Sequence, residues 1–196
     1  MTLRTGLLLL IALVYISGNF FLGRWQNNFY RGDTNGYYLH LVSAFVYGDV
    51  GDYDQTIDAM LESNPGIFDP RDDKFLIKPT EKGRKFIKYT LGVPLMEAPF
   101  FLLGHWYARL SGTYPADGWS TPYFFAVGLA IIGYVLVGFY LLIGMLQKHF
   151  SNLVVVLTVL TIALATNLFY QATYVTMAHG FLFFNSCLLI YLSERF

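Results

Sequence analysis

Hydrophobic positions fall into four long runs, separated by one long polar stretch and two short polar turns. The first run, residues 5–22 (TGLLLLIALVYISGNFFL), follows Arg4. A run of about 20 apolar residues is the length that crosses a bilayer core. No clear small-x-small cleavage site interrupts it, so it reads as an uncleaved membrane helix rather than a signal peptide. Residues 122–146 form a longer uncharged run, with Pro122 in the first helical turn. Residues 153–170 and 177–193 are two further apolar runs, with Lys148, His149 and Asn152 in the turn before the first of them. The pattern predicts an all-α membrane protein. It has about four transmembrane helices, plus interfacial amphipathic helices in a large first outer loop, 23–120. The whole of 1–196 reads as a single membrane domain.

Three shorter helices are predicted inside that loop. Over 34–47, Tyr37, Leu41 and Phe45 recur every four residues with Tyr38 and Val42 beside them, giving one apolar stripe. Asp33 stands where a helix N-cap accepts the first free N–H groups, and Gly48 ends the run. The Asp49, Asp52, Asp54 group lacks calcium-loop spacing and reads as a solvated turn. A second helix spans 54–63, with Ile57, Met60 and Leu61 on one side. Asn64-Pro65-Gly66 and Asp69-Pro70 mark turns. The third helix, 89–108, is apolar but carries Pro94, Glu97, Pro99 and His105. Two prolines and a carboxylate suit a bent interfacial helix better than a span. Phe100, Phe101, Trp106 and Tyr107 suit interfacial depth.

Charge sharpens the picture. Of 26 charged side chains, 19 lie between Arg24 and Lys88, which fits a polytopic protein with one polar loop. Net charge is zero, which suggests no nucleic-acid partner. The single Cys187 excludes an intrachain disulfide and a cysteine-rich metal site. Lys78, Lys82, Arg84, Lys85 and Lys88 put five cations in eleven residues, interrupted by Glu81. Beside a membrane they could hold an anionic headgroup or a lipid-linked phosphate; the alternative is a solvated loop. Placing Arg4, Lys148, His149 and Arg195 inside satisfies the positive-inside rule and leaves 23–120 and the turn from Gln171 to His179 outside.

The stretch DTNGYYLHLVSAFVYGD, the segment KYTLGVPLMEAPFFLLGH and the run MAHGFLFF resemble the N-terminal part of the GT-C class of polytopic glycosyltransferases. That class includes protein mannosyltransferases and the transferases that add aminoarabinose to lipid A. The shared elements are one membrane helix, an Asp ahead of an aromatic-rich amphipathic helix (Asp33 before Tyr37-Tyr38), and a Gly-Asp turn (Gly48-Asp49). A basic, Pro-containing interfacial segment and a helix ending in basic residues at Lys148 follow.

The resemblance implies sugar transfer from a polyprenyl-phosphate donor on the outer face of the membrane, the bacterial inner membrane in this case. Asp33 would be the general base and His179, Lys78, Arg84, Lys85, Lys88 and Tyr37 the substrate-binding residues. Part of the class has a second acid at the outer end of a later helix. The matching turn here carries His179 with Tyr174 and Thr176 and no acid; no cofactor is expected, and a divalent metal stays open without support from the sequence. The expected partners are the bilayer and a lipid-linked sugar donor. Members of the class carry more helices, so the chain is expected to be a piece of a longer protein. A non-catalytic membrane module that binds lipid or a partner protein stays open as the alternative. A transporter fits poorly, since the spans hold almost no charge and no inverted repeat is visible.

Overall fold

A computed structural model describes residues 2–22, 28–72, 76–174 and 177–194. Arg195 and Thr176 lie outside them. The chain is mostly helical among these residues, with one small two-stranded sheet. The elements in order are α1 (Leu3–Leu22), α2 (Gly32–Val42), α3 (Asp54–Ser63), β1 (Ile77–Pro79), β2 (Lys85–Ile87), α4 (Gly92–Ser111), α5 (Thr121–Leu146), α6 (Asn152–Ala165), α7 (Asn167–Thr173) and α8 (His179–Ser193). The last turn of α2 continues as a π-helical turn, Ser43–Tyr47, which closes on left-handed Gly48. Contacts divide the chain into two compact units, Met1–Trp25 with Gly128–Phe196, and Gln26–Val127.

Among the described residues, two helices are long and apolar enough to cross a membrane: Leu3–Phe21 and Thr121–Leu146. The expected single run over 153–170 is instead two helices bent by 55°. Thr166 breaks it. Its backbone is extended, and its hydroxyl accepts the Leu168 N–H to cap α7. A hydroxyl side chain that can satisfy a helix N-terminus makes the interruption inexpensive. With the bent pair counted as one, up to three segments among the described residues are long and apolar enough to cross.

In the first unit the helices meet through small residues, as membrane helices do where no water drives them together. A Cβ on Gly138 would stand 2.8 Å from the Phe183 ring, and one on Gly180 would stand 2.6 Å from Ile131. Buried Tyr15 donates to the Ala163 carbonyl at 2.8 Å. Lys148 pairs with Glu194 at 2.6 Å.

The second unit is built on an aromatic core. Fully buried Tyr38 meets the rings of Phe29, Phe101, Trp119 and Phe124, and its hydroxyl donates to the Gly118 carbonyl. Edge and tilted contacts of this kind add to the burial energy of each ring. Helix α2 is consequently covered on most sides: Thr34, Asn35, Gly36, Tyr38, Leu39, Leu41 and Val42 are buried. The expected stripe through Tyr37, Leu41 and Phe45 is offset, with Phe45 exposed and Tyr37 half-buried.

The Gly48-Asp49 turn is a structural joint rather than a solvated turn. Asp49 accepts from Ser43 Oγ at 2.6 Å, from Thr56 N at 3.0 Å and from Thr56 Oγ1 at 2.6 Å. One carboxylate thus ties the end of α2 to the first turn of α3, where a negative charge is favoured. Asp52 and Asp54 pair with Lys85. Arg71 gathers Asp69 at 2.7 Å, Asp58 at 2.9 Å and Asp54 at 3.7 Å.

Asp49→Ala strips the bonds from two fully buried hydroxyl residues, Ser43 and Thr56. It is expected to cost about 2–4 kcal/mol, read as a lower midpoint in thermal unfolding. An unchanged midpoint would remove Asp49 from its joint role.

Candidate functional site

Tyr89 closes the strand segment and meets α2 at Gly36. A Cβ on Gly36 would stand 2.0 Å from the Tyr89 ring, so only glycine lets the ring seat there. Two hydrogen bonds and a ring contact also fix the residue. Its hydroxyl donates to Asp33 Oδ1. Its carbonyl accepts from His40 Nε2 at 3.0 Å. Its ring lies 4.8 Å from the Tyr37 ring. The His40 ring is oriented in turn by Tyr53, whose hydroxyl stands 3.4 Å from Nδ1. Donation from Nε2 and acceptance at Nδ1 require neutral imidazole. Burial lowers the His40 pKa and so favours the same state, against the smaller opposing effect of the Tyr89 carbonyl.

Asp33 is therefore not the helix cap. Arg31 occupies the N-cap position without a side-chain cap bond, and Asp33 sits in the first turn. Its Oδ1 is bound by Tyr89, and Oδ2 has no partner among the described residues.

Asp33 lines a cavity of about 390 Å³, walled by Arg31, Asn35, Phe68, Lys88 and Tyr89 among others. The Lys88 ammonium sits 4.8 Å from the Tyr89 ring centroid, a cation–π distance. The cavity thus brings together a carboxylate, two cations and an aromatic wall. The other sequence-predicted residues lie elsewhere. Lys78 and Arg84 stand exposed on the β1–β2 hairpin, and Lys85 pairs with Asp54 and Asp52. Tyr37 lies beside the cavity against Tyr89, its pKa raised by burial first and then by the charges of Asp33 and Glu97. His179 opens α8 in the first unit and is exposed. His105 bonds Tyr123 Oη at 2.6 Å and serves the aromatic core.

Glu97 is the residue that reading the sequence overlooked. It appeared only as an obstacle to a span, yet it is 3% exposed in α4, with no hydrogen-bond partner among the described residues. Burial holds its carboxyl well above the usual carboxylate range. The Tyr37 and Tyr38 hydroxyls are among its electrostatic neighbours. A lone acid in an apolar interfacial helix was the available signal. Among the described residues no group of three His, Cys, Asp or Glu is placed to hold a metal ion. Comparison with family models, with curated proteins and with solved structures gives no match.

Two outcomes follow from these contacts. The raised Glu97 pKa means that the folded protein keeps a proton which the unfolded chain releases above about pH 4.5. Stability from this proton is full below that pH and is lost as pH rises through the folded-state value. Glu97→Gln is expected to match the parent near pH 4 and to melt higher at pH 8, by ~2–4 °C for each kcal/mol recovered. Gly36→Ala is expected to cost about 1–3 kcal/mol by overpacking against Tyr89. Adding Tyr89→Ala removes the obstacle, so the double variant should lose less than the sum in a mutant cycle. Strict additivity would mean that the two do not touch.

Proposed function

We propose that this chain is, or belongs to, a membrane glycosyltransferase resembling the GT-C class. It transfers a sugar from a polyprenyl-phosphate donor to an acceptor hydroxyl on the outer face of a bacterial inner membrane. One observation carries the reading: the Asp33 carboxylate shares a cavity with Lys88 and Arg31, and Tyr89 holds one of its oxygens.

The chemistry of such a transfer needs two things at once. The acceptor hydroxyl must lose a proton as it attacks the anomeric carbon, and the phosphate that leaves must keep its charge neutralised. Asp33 Oδ2 is the free base, and hydrogen-bond reach to the acceptor is the condition for its use. Tyr89 fixes the carboxylate rotamer through Oδ1. Lys88 and Arg31 are the cations for the departing phosphate, where charge-assisted bonds are strongest. The C–O bond to the acceptor forms as the C–O bond to phosphate breaks. The proton passes to Asp33 and the electron pair leaves with the phosphate.

The topology in this reading has four spans: α1, α5, the bent pair α6–α7, and α8. Arg4 and Lys148 lie inside and residues 23–120 outside. The cations of that loop do not oppose this assignment, because the positive-inside rule counts short loops, up to roughly 60 residues.

The test is transfer from a radiolabelled polyprenyl-phosphate sugar by the membrane-reconstituted protein. Asp33→Asn is expected to lower turnover by about 10²–10⁴-fold, with the unfolding midpoint kept. Tyr89→Phe should lower it less. Asp33→Asn within a few fold of the parent would rule out the general-base role.

A further inference from the structure

The basic run has a hidden period of two. In the β1–β2 hairpin Ile77 pairs with Ile87, Lys78 with Phe86 and Pro79 with Lys85. Beyond the ladder, the Thr80 N–H bonds the Arg84 carbonyl at 2.6 Å. Cross-strand partners share a face of a sheet. One face therefore carries Ile77 and Ile87, both buried, with Lys85 bound to Asp54 and Asp52. The other carries Lys78, Thr80, Arg84 and Phe86, all exposed, with Lys82 at the exposed tip beside Glu81. Phe86 is 45% exposed. Lys78, Lys82 and Arg84 have no ion-pair partner among the described residues, whereas Arg71 and Lys85 are held by Asp52, Asp54, Asp58 and Asp69.

The face is held in place from behind. Lys85 N–H donates to the Gly51 carbonyl at 2.7 Å, which fastens the hairpin to the turn after α2. A depression of about 640 Å³ lies between that turn and the hairpin tip, lined by Val50, Gly51, Lys82 and Arg84 among others. Val50 is exposed as well. Three cations without an ion pair among the described residues and an exposed ring on one hairpin, next to a shallow seat with an apolar edge at Val50 and one acid, Glu81, match one chemistry: phosphate-bearing headgroups above acyl chains. Lys and Arg gain from anionic lipid, and an aromatic ring suits the interface. The chain has helices long and apolar enough to cross a bilayer, and in a bilayer the occupant would be at high local concentration.

We infer that the outer face of the β1–β2 hairpin docks on anionic phospholipid headgroups, with Phe86 at the acyl boundary and Lys78, Lys82 and Arg84 on the phosphates. This goes beyond the transferase reading and does not depend on it. Lys88, at the Asp33 cavity, is left to the substrate.

The test places an environment-sensitive fluorophore at position 86 (Phe86→Cys with Cys187→Ser). The protein is reconstituted in nanodiscs of phosphatidylcholine with increasing phosphatidylglycerol. The expected result is a blue shift, with quenching by a lipid-borne nitroxide, that grows with phosphatidylglycerol. It should vanish in about 1 M salt, where the screening length falls to ~3 Å. Substituting Lys78, Lys82 and Arg84 together by Gln should abolish the shift and leave the unfolding midpoint in place, and Asp33→Asn should keep it. A label that stays water-exposed at every lipid composition overturns the inference. So does a response that survives the triple substitution. A shift caused by a soluble polyanion in discs without phosphatidylglycerol, and not by phosphatidylglycerol, makes the occupant a soluble partner and also overturns it.

Discussion

The seating of the Tyr89 ring on bare Gly36 is the contact on which the second unit's chemistry depends. With any side chain at position 36 the ring would have to leave. Four consequences would go with it: the Tyr89 bond to Asp33, the His40 bond to the Tyr89 carbonyl, the ring contact with Tyr37 and the Lys88 cation over the ring. The hairpin and α4 both leave from this residue's neighbourhood. A single close approach therefore sets where the carboxylate points and where the strand segment ends. Interiors tolerate small volume changes poorly, so such a contact behaves as a fixed stop rather than a soft one.

Around this stop the charges are divided by role. Arg71 and Lys85 pair with Asp52, Asp54, Asp58 and Asp69, and Asp49 is spent on joining α2 to α3. Exposed pairs of this kind contribute little stability each, but they leave a clear remainder. Asp33 keeps a free oxygen toward a cavity with two cations, and the hairpin keeps unpaired cations on one face. Glu97, buried in α4 without a hydrogen-bond partner among the described residues, has its carboxyl pKa raised by that burial.

Much of the helical layout was legible because it rests on local patterns. The helix over 54–63 follows from its apolar spacing and from Asn64-Pro65-Gly66, and α5 follows from an uncharged run bounded by Pro122 and Lys148. The burial of α2 was not legible, because Tyr38 and not Tyr37 faces the aromatic core, and only tertiary contacts choose between adjacent tyrosines. The hairpin was hidden because its inward positions include Lys85, so hydrophobic alternation is broken by an ion pair that the sequence cannot announce. The break at Thr166 had a signal, a Thr-Asn step at a helix start, inside a run apolar enough to mask it. For the site, Asp33 and Lys88, both candidates from the sequence, line one cavity. Glu97 and His40 were missed because a buried acid and a carbonyl-bound histidine are defined by partners distant in sequence.

The central claim is that the Asp33 cavity receives the phosphate end of a lipid-linked donor. The most direct measurement is photo-crosslinking from benzoylphenylalanine at position 68, an exposed residue of the cavity wall, to a radiolabelled polyprenyl-phosphate sugar. The account predicts labelling that unlabelled donor competes away and that Lys88→Ala weakens. Labelling no stronger than from the same probe at the exposed Phe150, or equally strong without Lys88, would contradict it.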